Sequence, residues 1–216
     1  MSTLRYILDN WDSLAPQILT HVEIVAISVA VAAAVGLALG VVAARNQRLG
    51  TVVLAATSTL ITIPSFALFG LLSIWVGLSN PPVIVGLVLY ALLPITRNTR
   101  AGILAVDPAV VEAATGMGMS RWQSLLHVEL PLAVPVILAG LRQATVMVVA
   151  IATVGATVGA NDLGQPILAA IGRTSGTVDA VLAGIIPVAL IGILADLTLA
   201  AIQRSLAHGR VVVAAT

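Results

Sequence analysis

The chain has 216 residues, is 59% hydrophobic and only 9% charged, and carries a net charge of +1 at neutral pH. Soluble domains hold about 45–50% apolar and about 25% charged residues, so a chain this poor in charge cannot clothe a water-facing surface, and most of it must lie in lipid. The balance excludes a nucleic-acid partner recruited by bulk charge, and the absence of cysteine excludes disulfide and thiolate chemistry.

Residues 1–20 are mixed in polarity, with Arg5, Asp9, Trp11 and Asp12, and are expected to form a short tail or interfacial helix. A cleaved leader is not expected, because the apolar block that follows is longer than a leader core and is preceded by acidic residues. That block, Ile24 to Ala44, would extend roughly 31 Å as a helix, enough to cross the hydrocarbon, and is the first expected span.

Arg45 to Gly50 is a short basic turn, and the second expected span, Thr51 to Leu78, is interrupted at Ile63, Pro64 and Ser65. Proline frees a backbone carbonyl, which in lipid must find a protein partner or border a wet cavity. The interruption is therefore either part of a pathway lining or an ordinary proline kink. After a turn at Ser79 to Pro82, a third and shorter span is expected from Val83 to Ile95, closed by Arg97 and Arg100. A polar segment follows at 107–130. The fourth span is expected from Pro131 to Gly159, then an irregular loop from Asn161 to Thr177 with room for a short helix. The fifth runs from Val178 to Ile202, with Pro187 and Asp196, and leads to a tail holding Arg204, His208 and Arg210. The expected fold class is an all-α integral membrane protein of about five transmembrane helices, forming one domain over 1–216.

Arginine placement orients this arrangement. With the N-terminus outside, the inner segments hold Arg45, Arg48, Arg97, Arg100, Arg121, Arg204 and Arg210, against Arg5 and Arg173 on the outer side. This is a positive-inside bias. It makes residues 1–20 extracytoplasmic and sets 107–130 and the C-terminus in the cytoplasm.

The 107–130 segment has its own grammar. Asp107 is suited to cap a helix whose first turn starts at Pro108, since proline has no amide to lose there. A short helix should run to about Thr115, and Gly116 and Gly118 should break it. Ser120 and Gln123 form a capping-box pair that restarts helix at Arg121. In that second helix Met119, Trp122, Leu125 and Leu126 form a narrow apolar stripe, a face to offer a partner.

Little in the chain suggests catalysis. His21, His127 and His208 are far apart, so no metal site is expected. Ser65 has no evident base and reads as a packing or backbone-bonding serine. All ten basic residues are arginine, so no phosphate-binding loop with lysine exists and ATP hydrolysis of the P-loop type would have to come from another subunit. Arg142 stands roughly 16 Å along the fourth span from Pro131. Either it lines a pathway, or it pairs with Asp196 and relieves the desolvation of both ions. Phe66, Phe69, Trp75 and Tyr90 are either aromatic side chains that a pathway could touch in passing or, the commoner case, packing and interfacial residues.

Glu112, Ala113, Ala114, Gly118, Val128, Glu129, Leu130 and Pro131, at their spacing, resemble the EAA signature of permease subunits of bacterial ATP-driven (ABC) importers, with Val128 where isoleucine is usual. The strings TIPSFALFGLL (62–72), LYALLPITRNTRAGI (89–103), VDPAVVEAATGMGMSRWQ (106–123) and VELPLAVPVILAGLRQATV (128–146) are similar to the osmoprotectant branch of that family. The resemblance implies a type I importer permease fold in a bacterial cytoplasmic (inner) membrane. It implies that 107–130 is a coupling segment whose residues Glu112, Ala113, Ala114, Gly116, Gly118, Met119, Ser120, Arg121 and Trp122 meet a cytoplasmic ATPase, the subunit that binds ATP and Mg. It further implies a second permease subunit, an extracytoplasmic binding protein, and quaternary ammonium cargo such as glycine betaine, choline, carnitine or proline betaine. No cofactor is expected in this chain itself. Candidates for the pathway lining are Ile63, Pro64, Ser65, Phe66, Tyr90 and Arg142. The alternatives are a permease for methionine, a sulfonate or another small polar solute, and a membrane scaffold that does not transport. One departure lies at 159–164, where GANDLG replaces the usual GAGGLG, and Asn161 and Asp162 are expected to add polarity on the outer side.

Overall fold

A computed structural model describes residues 3–172 and 178–211, with side chains through Leu206. Arg173 and the end of the expected loop at Thr177 lie outside the described residues, as do the side chains of His208 and Arg210. Among the described residues every regular element is helical.

Helix α1 (Thr3–Asp9) is followed by α2 (Trp11–Arg45), so residues 11–20, expected in a short tail or interfacial helix, begin the first long helix. The reason is a buried stripe that starts before the apolar block: Leu14, His21, Ile24, Val25, Ser28 and Ala32 recur at helical spacing. His21 is buried because its Nε2–H donates to the Val149 carbonyl at 3.2 Å. Thr3 Oγ1 donates to Asp179 Oδ1 at 2.8 Å, which holds α1 against the start of the last helix.

The expected second span is two helices, α3 (Gln47–Thr62) and α4 (Ser65–Val76), bent by 96° at Ile63 and Pro64. Asn46 starts α3 by accepting the amides of Arg48 and Leu49.

The third span differs most from expectation. It is α5 (Asn80–Leu104), a helix that continues through Arg97 and Arg100. Proline in its first turn costs no hydrogen bond. Arg100 is tolerated in the helix because its Nε–H donates to the Ala43 carbonyl on α2 at 3.0 Å. Thr96 and Thr99 are fully buried. A methyl group at Gly40 would overlap Thr99, so the missing side chain there sets the close approach of α2 and α5.

Helix α6 (Pro108–Gly116) stands apart, but α7 (Arg121–Ser124) does not: it runs through a π turn (Leu125–Glu129) into α8 (Leu130–Ala152), which ends in a 3₁₀ turn (Thr153–Val158). The second helix of the polar segment and the fourth span are therefore one rod. Prolines at 131 and 135 do not interrupt it: Pro131 falls in the first turn of α8, and the helix runs on through Pro135, whose own carbonyl accepts the Gln203 amide at 2.7 Å. Helix α9 (Gly164–Ile171) occupies the expected loop, and α10 (Val178–Val211) passes well beyond Ile202.

The bundle is built on α5, which packs between α2 and α8, while α10 lies on the far side of α8 and α9 caps it. Its centre is Ile24, Phe69, Val83, Leu87, Ile95, Ala144 and Val148. Of the long helices α5 is the most enclosed and α10 the least, leaving α10 a broad apolar face for lipid or another subunit.

Candidate functional site

Three places hold the candidate site residues. The first is the break between α3 and α4. Proline at 64 cannot continue the helical hydrogen bonds, and the Ile63 carbonyl left at the corner accepts the Tyr90 hydroxyl at 2.7 Å. Tyr90 is 3% exposed on α5, whereas Phe66 stands 64% exposed and Pro64 is exposed. Ile63 and Ser65 are half-buried. The geometry thus joins Ile63 to Tyr90 and turns Phe66 outward.

The second place is the α8–α10 contact. Arg142 Nε and Nη2 each donate to a different oxygen of Asp196 at 2.9 Å, a two-pronged pair, and its Nη1 donates to Gln203 Oε1 at 2.9 Å. Gln203 passes the connection on to the Pro135 carbonyl. Both charged side chains remain about one-third exposed. Arg142 is thus engaged by α10, away from the break at Ile63.

The third is the 107–130 segment. Asp107 Oδ1 accepts the Ala109 amide at 2.9 Å and starts α6. The turn that ends α6 relies on Gly118 at φ +86°, a left-handed conformation that favours glycine. There the Gly118 and Met119 amides close back on the carbonyls of Thr115 and Ala114. Ser120 and Gln123 exchange both capping-box bonds, at 2.8 and 3.3 Å. Ala114 is buried and Met119 partly so; Glu112, Ala113, Gly116, Gly118, Ser120, Arg121 and Trp122 are exposed. The expected apolar stripe is split, since Leu125 is buried while Trp122 and Leu126 face outward. An open cavity of about 520 Å³ separates α6 and α7 from the end of α2, lined by Arg45, Val111, Thr115, Arg121, Trp122, Ser124 and Glu129.

One residue of that cavity, Glu129, is expected from the sequence only as part of the importer signature, with no role of its own. Glu129, 4% exposed, accepts Arg45 Nη2 at 2.8 Å and Ser124 Oγ at 3.1 Å on the same oxygen. The available signal was an acidic residue beside a span opening, with an arginine at the end of another. Of the histidines with described side chains, His127 takes the same kind of partner as His21, a backbone carbonyl, that of Gln123. No group of three or more metal-binding side chains occurs among the described residues.

The departure at 159–164 has a different geometry from the one expected. Asn161 is exposed, but Asp162 is fully buried, and its Oδ1 accepts the Gly164 amide at 2.8 Å to begin α9. Its Oδ2 has no hydrogen-bond partner. Burial pushes the Asp162 carboxyl up to about 7, against the opposing pull of the Gly164 amide.

Similarity to known proteins agrees with this architecture. Residues 36–208 match the family described as "Binding-protein-dependent transport system inner membrane component". The carnitine transport permease protein OpuCD of Listeria monocytogenes is 39% identical over 210 residues, 95% of this chain and 94% of that protein. The glycine betaine/carnitine/choline transport system permease protein OpuCD of Bacillus subtilis is 45% identical over 175 residues, 81% of this chain and 76% of that one. The osmoprotectant import permease protein OsmW of Salmonella typhimurium is 38% identical over 208 residues, covering 94% and 96%. In fold, the chain is similar to the MetNI methionine ABC transporter in an inward-facing conformation, with a TM-score of 0.81 at 21% identity, covering 92% of this chain and 98% of that one. This all-helical, multi-pass chain has the type I ABC importer permease fold, and it belongs to the family of binding-protein-dependent transport system inner membrane components.

Proposed function

We propose that the chain forms the translocation pathway of an ATP-driven importer for quaternary ammonium osmoprotectants, the class that includes glycine betaine, choline, carnitine and proline betaine. The observation that carries this reading is the 45% identity to a permease named for glycine betaine, carnitine and choline transport. The likeness to the methionine transporter, at 21% identity, supports the fold and not a cargo.

In this reading 107–130 faces the cytoplasm, the N-terminus is outside and the C-terminus inside. Seven of the arginines then lie on the inner side, as positive-inside placement favours. Glu112, Ala113, Gly116, Gly118, Ser120, Arg121 and Trp122 offer an exposed surface to an ABC ATPase, which binds ATP and Mg, and Ala114 and Met119 anchor that surface to the bundle. A chain without lysine supplies no P-loop of its own. The exposed apolar face of α10 suits a second permease subunit or lipid. With aromatics at only 3%, tight recognition of a quaternary ammonium falls to a separate binding protein, and the permease serves as a low-affinity conduit past Ile63, Pro64, Ser65 and Phe66.

The test is to reconstitute the permease with its ATPase and binding protein in liposomes and measure which ligand stimulates ATP hydrolysis and enters. Stimulation by glycine betaine, choline or carnitine is expected. Stimulation by methionine or a sulfonate instead would replace the cargo, and no stimulation by any solute would return the scaffold reading.

A further inference from the structure

The 107–130 segment reaches the spanning helices by two different routes. It reaches α8 and α5 through the backbone: α7, the π turn and α8 follow one another without a gap, and α5 ends at Leu104, just before Asp107. It reaches α2 through side chains. Arg45 is the last residue of α2, and its guanidinium meets Glu129 at 2.8 Å. The π turn brings Glu129 into place: the Leu130 amide bonds the carbonyl of Leu125, five residues back, and this wider turn sets Ser124 and Glu129 over one another so that the serine hydroxyl also donates to the carboxylate. Among the described residues this cluster is the polar link between α2 and the segment.

The same end of α2 is also tied to α5. Two residues before Arg45, the Ala43 carbonyl accepts Arg100 from α5, and Gly40 lets α5 close on α2 nearby. Movement of α2 at this end therefore takes α5 with it. A carboxylate that is 4% exposed and neutralised from one helix cannot easily lose its partner, since an unpaired buried charge is costly.

We infer that Arg45 and Glu129 are a positioning pair that makes α2 travel with the 107–130 segment, so that force delivered to the segment reaches α2 as well as α5 and α8, the two spans to which the chain itself joins it. This rests on the reading above that the segment meets the ATPase. A pair that merely held the fold would affect yield and melting, but not the efficiency with which ATP is converted into transport.

The experiment measures ATP hydrolysed per solute imported by the complete complex in liposomes. Glu129→Gln and Arg45→Gln should raise that ratio about threefold or more, the range for residues that relay coupling between sites. Arg45→Lys, which keeps the charge, and the exchange Arg45→Glu with Glu129→Arg should restore most of the efficiency. If the glutamine variants do not assemble, Glu129→Asp opens the same gap by one methylene and should raise the ratio in assembled complex. An unchanged ratio in the single variants, or a raised ratio that neither the lysine nor the exchange corrects, overturns the proposal. The natural chain has no cysteine, so Met117→Cys, at a position 73% exposed, reports the underlying reading separately by cross-linking to the ATPase. Loss of that cross-link sinks the role of the segment; its retention beside an unchanged ratio sinks only the pair.

Discussion

Arg142 and Asp196, 54 positions apart, meet fork to fork with both nitrogen–oxygen distances at 2.9 Å, and Gln203 takes the nitrogen that Asp196 leaves over. The pair crosses the α8–α10 contact, where α10 has little other enclosure. Asp196→Ala leaves the guanidinium with Gln203 alone in an apolar setting. The expected outcome is a lower thermal midpoint and reduced transport, with the exchange Arg142→Asp plus Asp196→Arg better in both than either single change. A double variant no better than the singles would remove the pair from any account of how α10 is held.

Tyr90→Phe deletes one oxygen and leaves the Ile63 carbonyl unsatisfied at the corner between α3 and α4. The loss should be about 1–3 kcal/mol, the cost of an orphaned buried acceptor, measured by thermal or denaturant unfolding in a fixed detergent. An unchanged stability would show that the carbonyl has another donor at hand, such as water in an open pathway.

Gly118 holds φ +86°, with nothing within 4 Å of where a side chain would begin. The site has room for a larger residue but disfavours its backbone conformation, so Gly118→Val should cost about 1–3 kcal/mol locally and tilt α6 against α7. Membrane insertion should be retained, while co-purification of the ATPase or coupled transport falls. Glu112→Lys, on the exposed face of α6, should do the same by charge. Normal coupling in both variants would remove this surface from the ATPase contact.

Asp162 makes a prediction about pH. Its folded-state value of about 7 lies above the ordinary carboxylate value of about 3.9, so the folded chain holds this proton more tightly than the unfolded one. Its favourable contribution is therefore complete below about pH 4 and is lost as pH rises to about 7. Asp162→Asn keeps an oxygen for the Gly164 amide and carries no charge to desolvate. It should melt higher than the natural chain at pH 8, with a smaller difference at pH 5, in thermal scans at matched ionic strength. A midpoint difference that does not vary with pH would place the titration elsewhere.

Bulk hydropathy located the lipid-facing centre of each span but misplaced the ends. Leu14 and His21 extend α2 below the apolar block because burial there follows helical spacing, and a histidine bonded to a carbonyl counts as polar in any hydropathy sum. Arg97 and Arg100 read as a stop because the acceptor that tolerates Arg100, the Ala43 carbonyl, is remote in sequence. The caps at Asp107 and Ser120 were legible because each bonds only its own next few residues. Glu129 was legible as a signature residue but its partner was not, since that depends on a π turn and on an arginine 84 positions away. Asp162 was read as outer polarity because composition cannot tell a carboxylate that caps a buried helix from one that faces water.

The unbroken run from Arg121 through α8 has a mechanical meaning. A helical run from Arg121 to Ala152 spans about 48 Å, so a tilt of about 10° at the Arg121 end swings the opposite end by about 8 Å, comparable with the width of a small solute. In the proposed reading the chain needs no sliding joint between its docking surface and its depth: it has a crowbar that carries the arginine-tied end of α2 along with it.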